Sequence, residues 1–122
     1  MWADEFDGTE VDLTKWEFQL GNGAQNGIPG WGNNELQWYT SENASVEDGV
    51  LTIQAREESV GRFDYTSSRI RSLARGDWTY GRFEMRARLP SGQGMWPAFW
   101  MLSSDPSVYG VWAASGEIDI ME

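Results

Sequence analysis

Three carboxylic acids stand close together in the segment Gly116–Glu122. In an extended strand the side chains alternate between two faces, so Glu117 and Asp119 point one way and the isoleucines beside them point the other. Strict alternation would put Glu122 on the apolar face. A one-residue β-bulge around Ile120–Met121 corrects this, because two residues then oppose one on the neighbouring strand. We therefore expect the three acids to share one face and both residues of the bulge to turn toward the core.

Such a row of like charges is unfavourable for stability, which indicates a chemical use. Two carboxyl groups about 5–5.5 Å apart can cleave a glycosidic bond with retention, because one attacks the anomeric carbon and the other protonates the leaving oxygen. A third acid between them raises the pKa of a neighbouring carboxyl and keeps it protonated near neutral pH. The alternative is a solvated acidic strand end, since short acidic patterns also arise by chance.

The composition excludes several other kinds of chemistry. The 122 residues include neither cysteine nor histidine, which removes disulfides, thiolate metal sites, cysteine nucleophiles and Ser-His catalysis within this chain. The net charge of −10 argues against nucleic acid, whose phosphates need basic partners, and against anionic membrane surfaces. Core packing explains some of the eight tryptophans. Eight is nevertheless many for so short a chain, and sugar-binding clefts use flat aromatic faces.

Alternating apolar and polar residues predict an all-β protein. The clearest pattern is a hairpin over Ala44–Ala55, in which Asp48-Gly49 marks a tight turn and Leu51, Ile53 and Ala55 are expected to face the core. Loops are predicted over Asn22–Asn33, which leads into Glu35–Tyr39, and over Ser104–Ala114. Further strands are predicted over Ala3–Asp7, Lys15–Leu20, Phe63–Arg71, Gly81–Leu89 and Trp96–Leu102.

Longer motifs accompany the acidic segment. They are Asp4-Glu5-Phe6, the run from Trp31 to Tyr39, Gly81-Arg82-Phe83-Glu84 and the run from Gly94 to Leu102. In this order they resemble glycoside hydrolase family 16, and the extra residue before the last Glu is similar to the laminarinases (endo-β-1,3-glucanases) and some galactanases of that family. The resemblance implies a two-sheet β-sandwich, a jelly roll. It also implies an endo-acting, retaining hydrolase of β-1,3-glucan such as laminarin.

The resemblance further implies a role for each residue of a glycan cleft. Glu117 would be the nucleophile, Asp119 its electrostatic helper and Glu122 the acid/base. The residues expected to hold the sugar are Asn34, Arg69, Trp96, Trp100 and Trp112. Simpler roles stay open for these: a turn-forming Asn, a surface Arg on a strand, and tryptophans packed in the core.

No cofactor is expected for catalysis. In family 16 a calcium ion often lies on the face away from the cleft, and Glu5 and the backbone carbonyl of Gly49 match two of the positions that hold it. The family's further Asp ligand would lie beyond residue 122. The resemblance therefore implies a structural calcium whose site is incomplete here, and Glu5 can equally be a surface acid.

Sandwich domains of this kind are closed by strands from both ends of the sequence. Residues 1–122 are therefore expected to be the N-terminal half of one jelly-roll hydrolase domain, incomplete as given. The expected partners are a polysaccharide and either a complementary C-terminal half or a second copy of the chain, with no nucleic acid and no membrane. The resemblance alone implies an extracellular, secreted protein. Two alternatives to the hydrolase are a non-catalytic glucan-binding module and an inactive half-domain that only assembles with its missing half.

Overall fold

The structure is a computed structural model that describes residues 1–122. It contains nine short strands and only short helical segments, which confirms the prediction of an all-β protein. The chain divides into two units, Met1–Gly76 and Asp77–Glu122, and each is described by itself. None of the helical segments has the length and apolar character needed to cross a membrane.

The first unit holds seven strands in three small sheets. The strands are β1 Glu17–Phe18, β2 Gln37–Tyr39, β3 Ala44–Glu47, β4 Val50–Ile53, β5 Arg56–Val60, β6 Phe63–Ser67 and β7 Ile70–Arg71. β1 pairs with β7 and β3 with β4, both antiparallel. β6 lies between β2, to which it is parallel, and β5, to which it is antiparallel. These pairings bring β1 and β2 next to the later segment that contains β6 and β7.

The β3–β4 hairpin follows the sequence prediction. Its turn is Asp48-Gly49, with φ values of 51° and 74°, the left-handed conformation that a tight hairpin turn requires. Val46 is 5% exposed, and Leu51, its partner in the register, is half-buried. Ile53 and Ala55 are exposed. The expectation that they face the core is wrong, because no apolar layer covers that end of the hairpin.

The buried interior of the first unit is small and partly polar. Its buried apolar residues are Val11, Trp31 and Val46. Asn43 and Thr66 are 1% and 0% exposed, and the Asn43 amide donates hydrogen bonds to the Thr66 hydroxyl (2.8 Å) and to the carbonyl of Gln54 (2.9 Å). A buried polar group without a partner costs about 1–3 kcal/mol. These bonds therefore fix β6 against the segment that follows β4.

The second unit is built around one antiparallel pair of strands. Its elements are β8 Phe99–Leu102, α1 Pro106–Tyr109, a 3₁₀ turn Trp112–Ser115 and β9 Glu117–Met121. The predicted loop between the strands thus contains helical turns. The Asp105 carboxylate begins α1 by accepting a hydrogen bond from the Ser107 N–H at 2.9 Å, which satisfies one of the unpaired donors at a helix start.

Several predicted strands are absent or shorter in the structure. Ala3–Asp7 and Gly81–Leu89 form no strand, although their side chains alternate. A strand needs a neighbour whose N–H and C=O groups pair with its own, and neither segment has one in any sheet. The predicted strand Phe63–Arg71 is interrupted after Ser67 and forms β6 and β7. The other predicted strands are present but shorter.

Candidate active site

The register of β9 against β8 confirms the predicted bulge. Trp100 pairs with Asp119, whereas the residue before it, Phe99, pairs with Met121. A step of one residue on β8 thus corresponds to a step of two on β9. Ile120 is therefore the extra residue.

The bulge returns the last acid to the face of the first two. Paired residues of antiparallel strands share a face, so Asp119 lies on the face of Trp100, and Glu117, two residues earlier, lies there too. Met121 lies on the opposite face, and the residue that follows it comes back. Glu117 and Asp119 thus share one face of β9, and continued alternation puts Glu122, which directly follows β9, on the same face, as expected from the sequence.

Trp96 contacts the last of these acids directly. Its indole N–H donates a hydrogen bond to Glu122 Oε1 at 2.9 Å. A bond from N–H to a carboxylate is charge-assisted and stronger than one between neutral groups. Trp96 is 57% exposed, so most of its ring surface remains accessible. The contact restricts rotation of the Glu122 side chain, and this is a feature that the sequence did not predict.

Trp100 and Trp112 pack against each other. Their ring centroids are 5.8 Å apart and the ring planes meet at 76°, an edge-to-face arrangement worth about 0.5–1.5 kcal/mol. The hydroxyl of Ser115 donates to the carbonyl of Trp112 at 2.7 Å, which holds the 3₁₀ turn closed. Both tryptophans are half-buried. The pair therefore packs as a unit while part of each ring stays accessible.

The opposite face of β9 is largely open. Ile118 and Ile120 are 60% and 39% exposed, although alternation and the bulge place them toward a core. Met121 is half-buried. The prediction that both bulge residues turn into the core is therefore wrong for Ile120. An exposed apolar strand face of this kind is suited to being covered.

In the first unit, Arg69 lies in a polar cluster between β6 and β7. Its Cζ is 4.5 Å from the centroid of the Trp31 ring, its Nε donates to Gln19 Oε1 at 2.7 Å and its Nη1 is 3.9 Å from Glu35 Oε1. The Arg69 side chain is 13% exposed. Burial lowers the pKa of this guanidinium, and the neighbouring Tyr39 and Glu35 oppose that effect. A plain surface arginine is therefore excluded.

Glu35 is the anionic centre of the same cluster. Its side chain is 11% exposed, and its carboxylate accepts hydrogen bonds from Gln37 Nε2 (2.6 Å), Tyr39 Oη (2.8 Å) and Asn33 Nδ2 (3.3 Å). Burial, followed by the charge and hydrogen bond of Glu35, raises the pKa of Tyr39. The Tyr39 hydroxyl is therefore kept as a donor. Glu35 is not among the site residues predicted from the sequence. It stands two and four residues before Gln37 and Tyr39, a spacing that places all three on one side of an extended segment.

Asn34 occupies a turn immediately before Glu35. It is exposed and has a φ of 57°, a left-handed conformation that Asn tolerates better than most residues. The turn-forming role is therefore present in the structure. Its contact with a sugar stays a prediction.

The loop before this turn is closed around Trp31. It contains two 3₁₀ turns, Ala24–Asn26 and Pro29–Gly32. Trp31 is 1% exposed, has a φ of 50°, and donates its indole N–H to the Gly21 carbonyl at 3.1 Å. A Cβ at Gly23 would lie 2.3 Å from the Ile28 carbonyl oxygen. Only glycine fits there, so the loop holds the Trp31 ring in a fixed position beneath Arg69.

The predicted calcium ligands lie side by side but are few. A Cβ at Gly49 would stand 3.8 Å from the backbone oxygen of Glu5, so these two backbones meet. Calcium takes about 6–8 oxygen ligands, and the structure contains no group of three or more acids, histidines or cysteines that could hold a metal. Calcium binding stays a prediction.

Residues 32–122 match the family described as Glycosyl hydrolases family 16, over more than half of the chain. The chain belongs to this family. It is 51% identical over 128 residues to the beta-glucanase of Rhodothermus marinus, with 100% of this chain and 42% of that protein covered. It is 47% identical over 133 residues to glucan endo-1,3-beta-glucosidase A1 of Niallia circulans, with 100% of this chain and 19% of that protein covered.

Solved structures of family 16 give the same assignment. The laminarinase catalytic domain of Thermotoga maritima matches with a TM-score of 0.92 at 49% identity, over 99% of this chain and 49% of that chain. This likeness confirms the jelly-roll fold class predicted from the sequence. The chain spans less than half the length of these relatives.

Proposed function

We propose that this chain carries the catalytic strand of an endo-acting, retaining glycoside hydrolase that cleaves β-1,3-glucan. The observation that supports this most directly is the bulge at Ile120, through which Glu117, Asp119 and Glu122 share one face of β9. Relatives named as beta-glucanase, glucan endo-1,3-beta-glucosidase and laminarinase support the substrate class.

The chemistry is a double displacement by the two glutamates. Glu117 attacks the anomeric carbon and forms a covalent glycosyl ester, while Glu122 gives its proton to the leaving glycosidic oxygen. Glu122, now a carboxylate, takes a proton from water, and the water oxygen displaces Glu117 from the sugar. Because Oε1 of Glu122 accepts the Trp96 N–H, the transferred proton is carried by Oε2. Asp119 supplies negative charge between the two.

Flat side chains and hydrogen-bond donors would hold the glycan. Trp96, Trp100 and Trp112 offer accessible ring surface for the apolar sides of glucose units. In the first unit, Arg69 and Asn34 would bind sugar hydroxyls. Arg69 suits this role because its planar guanidinium presents several N–H donors in a fixed fork.

We further propose that residues 1–122 form the N-terminal half of one hydrolase domain. The share of the relatives that the chain covers, 42% and 49%, supports this, as does the open apolar face at Ile118 and Ile120. The partner would then be the complementary C-terminal half, with a second copy of the chain as the other possible cover. An extracellular location is proposed from the family alone.

Reducing-sugar release from laminarin, lichenan and agarose tests the function. The assay is run with this chain alone and with the C-terminal half of a related laminarinase domain added. Hydrolysis of laminarin in preference to the other two polymers is expected, at least in the presence of that half. Hydrolysis of agarose alone would contradict the proposed substrate.

The nucleophile is tested by Glu117→Gln, which keeps size and polarity but removes the attacking carboxylate. Turnover should fall by at least about 10³-fold, whereas laminarin binding should be retained. Near-normal hydrolysis by this variant would reject the role of Glu117. A wild-type protein that binds laminarin without ever hydrolysing it would instead favour the non-catalytic glucan-binding module.

A further inference from the structure

The guanidinium of Arg69 is held in one orientation by contacts in different directions. The Trp31 ring lies against its face at 4.5 Å, Gln19 Oε1 accepts its Nε–H at 2.7 Å, and Glu35 Oε1 lies 3.9 Å from Nη1. A planar group with one face covered and two of its edges engaged cannot rotate without losing these contacts. Of the three, Glu35 supplies the negative charge.

The Glu35 carboxylate is itself held in place by three hydrogen bonds. Tyr39 and Gln37 donate to its Oε2 at 2.8 Å and 2.6 Å, and Asn33 donates to Oε1 at 3.3 Å. The first two donors belong to β2, which is paired with β6. The carboxylate is therefore fixed relative to the strand that leads directly into Arg69.

The burial of this pair makes its charge effective. The Glu35 and Arg69 side chains are 11% and 13% exposed, and attraction between charges is stronger where water is excluded. Glu17 and Arg71 form a closer pair at 2.9 Å, but their side chains are 36% and 41% exposed. Exposed pairs of that kind contribute little, which makes the second pair a natural comparison for the first.

We propose that Glu35 is a positioning residue that orients Arg69 for binding the glycan. This rests on the proposed function, because it takes Arg69 as a sugar-binding residue. Without the carboxylate, the buried guanidinium loses its paired charge and can turn away from the direction fixed by Trp31 and Gln19. Glu35 acts through Arg69 and needs no contact with substrate.

Glu35→Gln tests the proposal in this chain, with the complementary C-terminal half added where hydrolysis requires it, and Glu17→Gln is the matched control. Binding of laminari-oligosaccharide is measured by calorimetry, KM and kcat by hydrolysis, and exchange of the Arg69 Nε–H by NMR. Glu35→Gln should weaken binding and raise KM by about tenfold. A misdirected Arg69 loses its hydrogen bond to the sugar, and a hydrogen bond that involves a charged group is worth about that factor. The value of kcat should change by less than about twofold, because the lost contact binds the ground state and the transition state equally, and exchange of the Nε–H should accelerate. Glu17→Gln should change none of these.

The Glu35→Gln change made in an Arg69→Gln protein shows whether Glu35 acts by positioning Arg69 or by a general effect on the fold. In an Arg69→Gln protein, the further change Glu35→Gln should leave binding unaltered, because the residue through which Glu35 acts is absent. An equal loss of binding in that background would overturn the proposal. So would unchanged binding together with unchanged exchange of the Arg69 Nε–H in the Glu35→Gln protein.

Two further outcomes are also decisive. If Glu35→Gln does not fold, Glu35→Asp keeps the charge but shortens its reach, and a wild-type affinity in that variant would overturn the need for a close carboxylate. If the wild-type protein neither binds nor cleaves glucan, the proposed function fails. The exchange rate of the Arg69 Nε–H then decides by itself whether Glu35 orders the guanidinium.

Discussion

Replacing Trp96 by phenylalanine removes one N–H donor while keeping an aromatic face. In the wild-type protein that N–H lies 2.9 Å from Glu122 Oε1. In the proposed mechanism Glu122 becomes a carboxylate as its proton leaves, so this hydrogen bond strengthens in the transition state. Hydrogen bonds to charged groups contribute about 1.5–3 kcal/mol, and the lower end applies because Trp96 is 57% exposed. A loss of about 1.5 kcal/mol corresponds to a fall of about tenfold in rate.

A comparison of two substrates shows whether the fall in rate in Trp96→Phe comes from slower proton transfer by Glu122. Under the proposed mechanism laminarin, which has a poor leaving group, needs a proton from Glu122, whereas a dinitrophenyl glucoside releases a stable phenolate without one. Trp96→Phe should therefore reduce kcat/KM for laminarin by about tenfold and kcat/KM for the aryl glucoside by less than about twofold. Both are measured under conditions in which formation of the glycosyl ester limits the rate.

Trp78→Phe provides the matched control in the same unit. Trp78 is 45% exposed and packs edge-to-face with Phe83, with ring centroids 5.6 Å apart. Trp78→Phe should leave the ratio of kcat/KM for laminarin to kcat/KM for the aryl glucoside unchanged. Equal losses on both substrates in Trp96→Phe would show that Trp96 serves only as a sugar platform, and no loss on either would refute the reasoning from its contact with Glu122.

Two further predictions concern stability, measured by urea denaturation. Gly23→Ala should lower the free energy of unfolding by about 2 kcal/mol or more, because a Cβ would stand 2.3 Å from the Ile28 carbonyl oxygen at a φ of 83°. Gly27→Ala, with a φ of 75° and nothing within 4 Å of its Cβ, should cost only about 1 kcal/mol, and equal costs would contradict the steric explanation. Burial raises the pKa of the Asp4 carboxyl, but hydrogen bonds from Trp16 and its neighbours outweigh this and hold the pKa below its usual value. The ionised Asp4 therefore stabilises the fold above the pKa of the unfolded carboxyl, and this contribution is lost as the pH falls through the lower pKa of the folded state. Asp4→Asn should lower the free energy of unfolding by about 1–3 kcal/mol near about pH 7 and by progressively less toward about pH 3. A cost that does not change with pH would refute this assignment.

The sequence predicts local structure most accurately where a short residue pattern by itself determines the backbone conformation. The hairpin over Ala44–Ala55 is specified by its Asp-Gly turn and by alternation on both sides. The bulge at Ile120 follows from the requirement that three acids share a face. Gly81–Leu89 alternates equally well but forms no strand. Alternation shows which side chains can share a face, whereas strand formation also requires a paired neighbour that the segment's own sequence does not specify.

Glu35 shows a second limit of reading the sequence alone. Glu35 lies in the motif from Trp31 to Tyr39 and shares the parity of Gln37 and Tyr39, but neither fact indicates a contact with Arg69. Its importance arises only when the loop around Trp31 closes and brings it to Arg69, thirty-four positions later in the numbering. Trp96 is a related case, because the family resemblance places its ring in the cleft but does not give the direction of its N–H. Contacts of this kind depend on tertiary packing, which local residue patterns do not encode.

Because of the extra residue on β9, the length of the acidic segment can change by one residue without moving any of the three acids to the other face. If Ile120 were deleted, the bulge would disappear as well, and simple alternation would still leave Glu117, Asp119 and Glu122 on the same side. Gain or loss of a single codon can thus convert a kinked strand into a straight one without scattering the carboxylates. What changes is the local bend and twist, and hence the direction in which the last acid approaches a bound sugar. Under the proposed function, segment length at this point would therefore set the catalytic geometry without any change in the three acids themselves.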